Sequence, residues 1–242
     1  MSKKRKAWVH VGLPGSADVV EGALAHHREA LLELGFASVA HTTSESFGAA
    51  VEILRAHKEW GLARADVEGE WTRQVRRADK ERADLVFSQH LLAAASPDQA
   101  DLLVDALAGY QVHVVITAGP AGDVDVDADG VDGIRRRWSS AVRKPERVHV
   151  LEVGTDPAAT WKAFGKLLGF GTASLGLAGV PATVPPCTSL AEAQREIEKL
   201  ARRNAALEVR LEELDRKRRK LKKKLAKRKK DATAEGTLGD AA

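Results

Sequence analysis

Five short apolar runs alternate, over the first 170 residues, with stretches whose apolar positions recur every three or four residues. The first run is Trp8-Val9-His10-Val11. It stops at Gly12-Leu13-Pro14-Gly15 and restarts at Ser16, with Val19, Val20, Ala23, Leu24, Leu31, Leu32 and Leu34 on helical spacing up to Gly35. That order predicts a strand, a tight loop and a helix. Ala37–His41 reads as a second strand. A helix follows from Ser44, as cap, to about Trp60, with Phe47, Ala50, Val51 and Leu54 on one face. A polar helix near Asp66–Arg82 keeps a narrow apolar edge of Trp71 and Val75, and Asp84–Ser88 is a short buried strand. Ser96-Pro97 opens a helix bearing Ala100, Leu103, Val104 and Leu107, since proline suits the first helical turn. Val112–Thr117 and Arg147–Leu151 are further strands. Asp156-Pro157 then caps a helix carrying Trp161, Phe164, Leu167 and Leu168, ended by Gly169. Strands alternating with helices predict a parallel sheet with right-handed crossovers, an α/β domain over 1–170. Residues 171–187, rich in Gly and Pro, read as a linker.

The period changes at Ser189. Leu190, Ile197, Asn204, Leu211, Arg218 and Leu225 fall seven apart, and Ala193, Leu200, Leu207, Leu214 and Leu221 fill the interleaved positions. These are the two seams of a coiled coil within 188–230, with Ser189 and Glu192 as a capping box. Ile197, Leu200, Asn204, Leu207, Leu211, Leu214 and Leu221 are the expected dimer contacts, and a lone Asn204 in the seam sets a parallel register. In that register Arg203 meets Glu208 and Arg210 meets Asp215, while only Lys217 and Lys222 repel. A homodimer through 190–225 is expected; the competing reading is an amphipathic helix folded back on the body.

Charge sharpens this division. The formal net charge is +4, yet twelve of the fifteen residues at 216–230 are Lys or Arg, leaving 26 basic against 34 acidic residues elsewhere. A mildly acidic body thus carries a basic end, with a disordered tail expected over 231–242. Arg216, Lys217, Arg218, Arg219, Lys220, Lys222, Lys223 and Lys224 are candidate contacts to nucleic acid or an anionic surface, through non-specific counterion release. The basic run follows the zipper and lacks an Asn-containing base-reading pattern, so sequence-specific DNA reading is not expected. Cys187 is alone, which rules out a disulfide framework within the chain and fits a reducing compartment. No apolar run is long enough to span a membrane, and the short one after the first basic residues is not a signal peptide. A cytoplasmic protein is expected.

The loop after the first strand carries the candidate chemistry. A strand-to-helix turn in an open α/β sheet presents free N–H groups and a positive dipole end to an anion. This loop has no Lys, no Arg and no Gly-Lys-Ser/Thr ending, so it is not a nucleotide-hydrolysing P-loop. Elsewhere, Asp123, Asp125, Asp127 and Asp129 before Gly130 have a calcium-loop rhythm, but Arg136 stands where a bidentate Glu is needed. His10, His113 and His149 sit mid-strand without Cys or carboxylate at ligand spacing, so hydrogen-bonded core histidines are expected and no metal site is predicted. His57 and His90 are weak candidates for a general base. No Ser–His–Asp or Cys–His arrangement stands out, and catalytic residues stay unassigned.

Val9–Leu34, Leu85–Leu92, Val112–Ala118 and Val148–Gly169 together resemble the sulfotransferase-like domains common in actinobacteria. The agreement is closest at Asp156-Pro157-Ala158-Ala159-Thr160-Trp161-Lys162-Ala163-Phe164 and Leu168-Gly169. The resemblance implies a three-layer, parallel-sheet α/β domain of the P-loop sulfotransferase type, here followed by a long C-terminal coiled-coil helix. It implies 3′-phosphoadenosine-5′-phosphosulfate (PAPS) as cofactor and Gly12, Leu13, Pro14, Gly15, Ser16 and Ser88 as vestiges of its site. The departures are specific. Gly15 stands where the family has its phosphate-loop Lys, and Ala17-Asp18-Val19 replaces Gly-Thr-Thr. Gly119 replaces the Arg that would hold the 3′-phosphate, and Gln89-His90 stands where Ser-Glu is usual. A Lys would neutralise the bridging oxygen as sulfonate leaves, a role that amides do not fully replace. Asp18 adds repulsion of about 4 kcal/mol per unit charge at about 4 Å and an effective dielectric near 20. The expectation is a non-catalytic, sulfotransferase-like domain with no cofactor, dimerised by a zipper with a basic end. The alternatives are an active PAPS-dependent sulfotransferase acting on a hydroxyl or amine, and a nucleic-acid-associated structural protein.

Overall fold

The computed structural model describes residues 4–13, 16–119, 130–180 and 217–218. Five strands form one sheet: β1 (Lys6–Gly12), β2 (Phe36–Ser38), β3 (Asp84–Ser88), β4 (Gln111–Ala118) and β5 (Val148–Glu152). Their order is β2-β3-β1-β4-β5, and every neighbouring pair is parallel. This order is compatible with a P-loop-like fold.

The helices are α1 (Ser16–His26), α2 (Arg28–Glu33), α3 (Thr43–Leu54), α4 (Arg64–Val67), α5 (Glu70–Glu81), α6 (Pro97–Ala106), α7 (Gly130–Val142) and α8 (Pro157–Leu168). Side-chain alternation along β1 divides them into two layers. Ala7, Val9 and Val11 pack with Ala49, Ala50 and Ile53 of α3, Trp71 of α5, Leu103 of α6 and Trp138 of α7. Trp8 turns to the opposite face, against Val20, Ala23 and Leu24 of α1, Leu31 of α2, and Trp161, Phe164 and Leu168 of α8. Central strands covered on both faces explain why β1 and β4 are buried at almost every position, without the alternation of a half-exposed strand. Each fully buried large side chain, such as Trp138 or Phe164, contributes about 2–3 kcal/mol of transfer free energy.

Several boundaries differ from the periodicity reading. The first helix breaks at His27 into α1 and α2, and Gly35 then takes a φ of +87° to turn into β2. β2 ends at Ser38, although Val39 still donates to the Val86 carbonyl. The cap of α3 is Thr42, whose hydroxyl accepts from the Glu45 amide; Ser44 lies inside the helix, which stops at Leu54 rather than Trp60. Gly69, at φ +83°, divides the polar helix into α4 and α5. Helix α7 had no counterpart in the sequence reading. Of the Gly- and Pro-rich stretch, residues 171–180 lie against the body: Leu175 is buried, and its carbonyl accepts from Trp161 Nε1 at 2.7 Å. Among the described residues no helix is long and apolar enough to cross a membrane. The acidic loop at 123–129 and the heptads lie outside the described residues, save that Lys217 and Arg218 are helical and exposed.

Candidate functional site

The chain leaves β1 on the α1 face to reach β2, and leaves β3 through α6 on the other face to reach β4. Adjacent strands whose connections depart to opposite faces open a crevice at their carboxyl ends, where α/β sheets place their ligands. Here that crevice lies beyond β1, β3 and β4.

Its floor is His10. The ring is fully buried; Nδ1 lies 2.7 Å from Ser88 Oγ on β3, and Nε2 lies 3.0 Å from Thr117 Oγ1 on β4. One imidazole thus links three neighbouring strands. Burial pushes its pKa down to about 3, so the ring is neutral: one nitrogen donates, the other accepts, and the two hydroxyls orient to match. The Gln89 amide donates to the His10 carbonyl, and the Leu13 amide to the Thr117 carbonyl.

The wall is acidic. Asp18 and Glu21 stand three apart on α1, hence on one face of the helix. His90, two residues past β3 at the start of a short 3-10 helix, brings Nδ1 to 3.5 Å from Asp18 Oδ1. Glu21 reaches across to α3, where the Ser46 hydroxyl contacts its Oε1, and Gln89 Nε2 lies 3.4 Å from the same oxygen. Burial pushes the Glu21 carboxyl up to about 7, reinforced by the Asp18 charge and opposed by Ser46 and His90. Among the described residues, no Lys or Arg is among the groups acting on it. The Ser46 hydroxyl has one proton and two nearby acceptors, Glu21 and the Thr43 carbonyl at 3.0 Å. Its single proton serves one of the two at a time.

Between α1, α3 and the end of β3 the cleft is lined by Glu21, Leu24, Ser46, Val86, Phe87 and Ser88. Its free space is about that of one water-sized occupant.

Gly12 closes β1 and Leu13 follows it, with its N–H turned to the Thr117 carbonyl of β4 rather than to the cleft. Pro14 and Gly15 lie outside the described residues; Ser16 begins α1, and Asp18 occupies its first turn, where a carboxylate meets the dipole that would otherwise favour a bound anion. Ser88 is buried and bonded to His10. His113 and His149 pair with each other, Nδ1 to Nε2 at 3.1 Å, and Trp8 stacks on His113 at 4.4 Å, well apart from His10's partners. Glu21 and Ser46 went unnoticed in the sequence. The Asp18–Glu21 spacing was a readable signal, but nothing local announced that β3 would bring Gln89 and His90 beside it.

No family model matches the chain, and no curated protein matches it.

Proposed function

We propose that this chain is a sulfotransferase-type α/β domain that no longer binds PAPS or transfers sulfonate. In this reading it acts as a non-catalytic module, paired with a second copy through 190–225 and drawn to polyanions by the basic run at 216–230. The carrying observation is the acidic wall at the mouth of the cleft. Asp18 takes the first turn of α1, and Glu21 lies beside it with no Lys or Arg, among the described residues, in the groups acting on it. A cofactor bearing several phosphate and sulfate charges needs cations and convergent amides there. Among the described residues this cleft offers carboxylates instead. The resemblance in motif order, together with a strand order compatible with a P-loop-like fold, supports the sulfotransferase type.

Calorimetric titration of the full chain with adenosine 3′,5′-bisphosphate, the desulfonated cofactor, tests this. The expected result is no saturable heat; micromolar binding overturns the proposal and restores an active sulfotransferase as the reading.

A further inference from the structure

We infer that Asp18, Glu21 and His90 form a binding site for one divalent transition-metal ion, best matched by Zn2+. The inference deepens the reading of this cleft as one that rejects polyanions, and it rests on the same acidic wall.

Three observations carry it. One ligand atom from each residue, two carboxylate oxygens and one imidazole nitrogen, lies within 4.8 Å of the other two. Second, His90 Nδ1 is sealed from solvent and makes no hydrogen bond. Its separation from Asp18 Oδ1, 3.5 Å, is long for a hydrogen bond. It is the right length for two ligands of one ion, because bonds of about 2.0–2.1 Å at tetrahedral angles hold donors about 3.4 Å apart. Third, the Glu21 carboxyl is held from behind. Ser46 and Gln89 both reach Oε1. Hydrogen bonds of this kind orient the ligands of natural metal sites.

The donor set selects the metal. Calcium and magnesium prefer all-oxygen shells, whereas an imidazole with two carboxylates suits zinc and its neighbours. Three protein ligands leave a fourth position for water. The two carboxylates share one helix face, and His90 opens the short 3-10 helix His90–Ala94 that follows β3.

The test uses the full chain, stripped of metal and titrated calorimetrically with ZnCl2 in a non-chelating buffer. One Zn2+ per chain is expected, with Asp18→Asn and His90→Ala each weakening binding about 10-fold or more. His149→Ala, which alters the distant histidine pair, should leave affinity unchanged, and excess Mg2+ should not compete. Thermal unfolding of each variant without metal confirms that it is folded. Absence of binding by the wild-type chain overturns the inference, as does affinity that survives in folded His90→Ala. The bisphosphate titration is read separately: if the nucleotide binds, only the proposed loss of PAPS falls, and if Zn2+ fails to bind, only the metal site falls.

Discussion

His10 stands between two hydroxyls in the middle of the sheet, and its neutrality has a consequence for stability. Burial lowers the His10 pKa to about 3 and that of His113 to about 4, from 6.5 in each case. Below pH 6.5 the unfolded chain binds protons that the folded chain refuses, so these residues erode stability as pH falls from 6.5 towards 4. Glu21 has the opposite sign. Its pKa rises from 4.5 to about 7, so the folded chain holds the extra proton and gains stability as pH falls through 7. Glu21→Gln should therefore be more stable than the wild type at pH 8, by on the order of 1 kcal/mol after allowance for its partial exposure, with the gap closing below pH 7. Urea unfolding at pH 8, 7, 6 and 5 with a chelator present checks both signs. A gap that does not change with pH would show that Glu21 titrates normally.

The elements differ in how plainly their sequence announces them. Helices α6 and α8 were legible because their caps are local: Ser96 and Gln99 exchange side-chain and backbone bonds, and the Asp156 carboxylate accepts from the Ala158 amide. Strands β3 and β4 were legible as apolar runs bounded by polar residues. Helix α7 had a signal that went unread, for Ile134, Trp138, Ala141 and Val142 fall at helical spacing and are all buried. Arg135, Arg136 and Arg137 set three consecutive charges between the first two of those positions. The packing of 170–175 onto α8 was not legible, because glycine and proline content says nothing about where a segment docks. Gly165 is where that packing is tightest: a Cβ there would lie 2.6 Å from Thr172 Cγ2 and 2.9 Å from Phe170 Cε2. Gly165→Ala should push this segment off the helix and cost about 1–3 kcal/mol. Thermal unfolding reads the loss, and a rise in Trp161 solvent exposure locates it. Unchanged stability would mean that 170–175 yields at no cost.

At the scale of the whole molecule, the sequence divides sharply in charge, and the proposed roles of the two parts can be separated. Removing residues 188–242 should convert a dimer into a monomer by sedimentation. Removing only 216–242 should weaken RNA and DNA binding in a salt-titrated shift assay and flatten its dependence on salt. Unchanged affinity after the shorter deletion would exclude the basic run as the contact. The candidate site was half legible at this scale. The loop after β1 lies at the carboxyl end of the sheet, and its lack of Lys and Arg was plain. That Asp18, Glu21 and His90 meet beside it depended on parallel pairing between β1 and β3, with His10 opposite Ser88.

That pairing also bears on how the protein is made. The two hydroxyls that hold His10 lie 78 and 107 residues further along the chain. A ribosome therefore delivers the middle of the sheet before either flank has been synthesised. Until both arrive, the apolar segment at Lys6–Gly12 is an unprotected ribbon, and contacts of such long sequence separation form slowly. The nascent chain must be shielded from aggregation over this interval, which makes its early translation a natural point of dependence on chaperones.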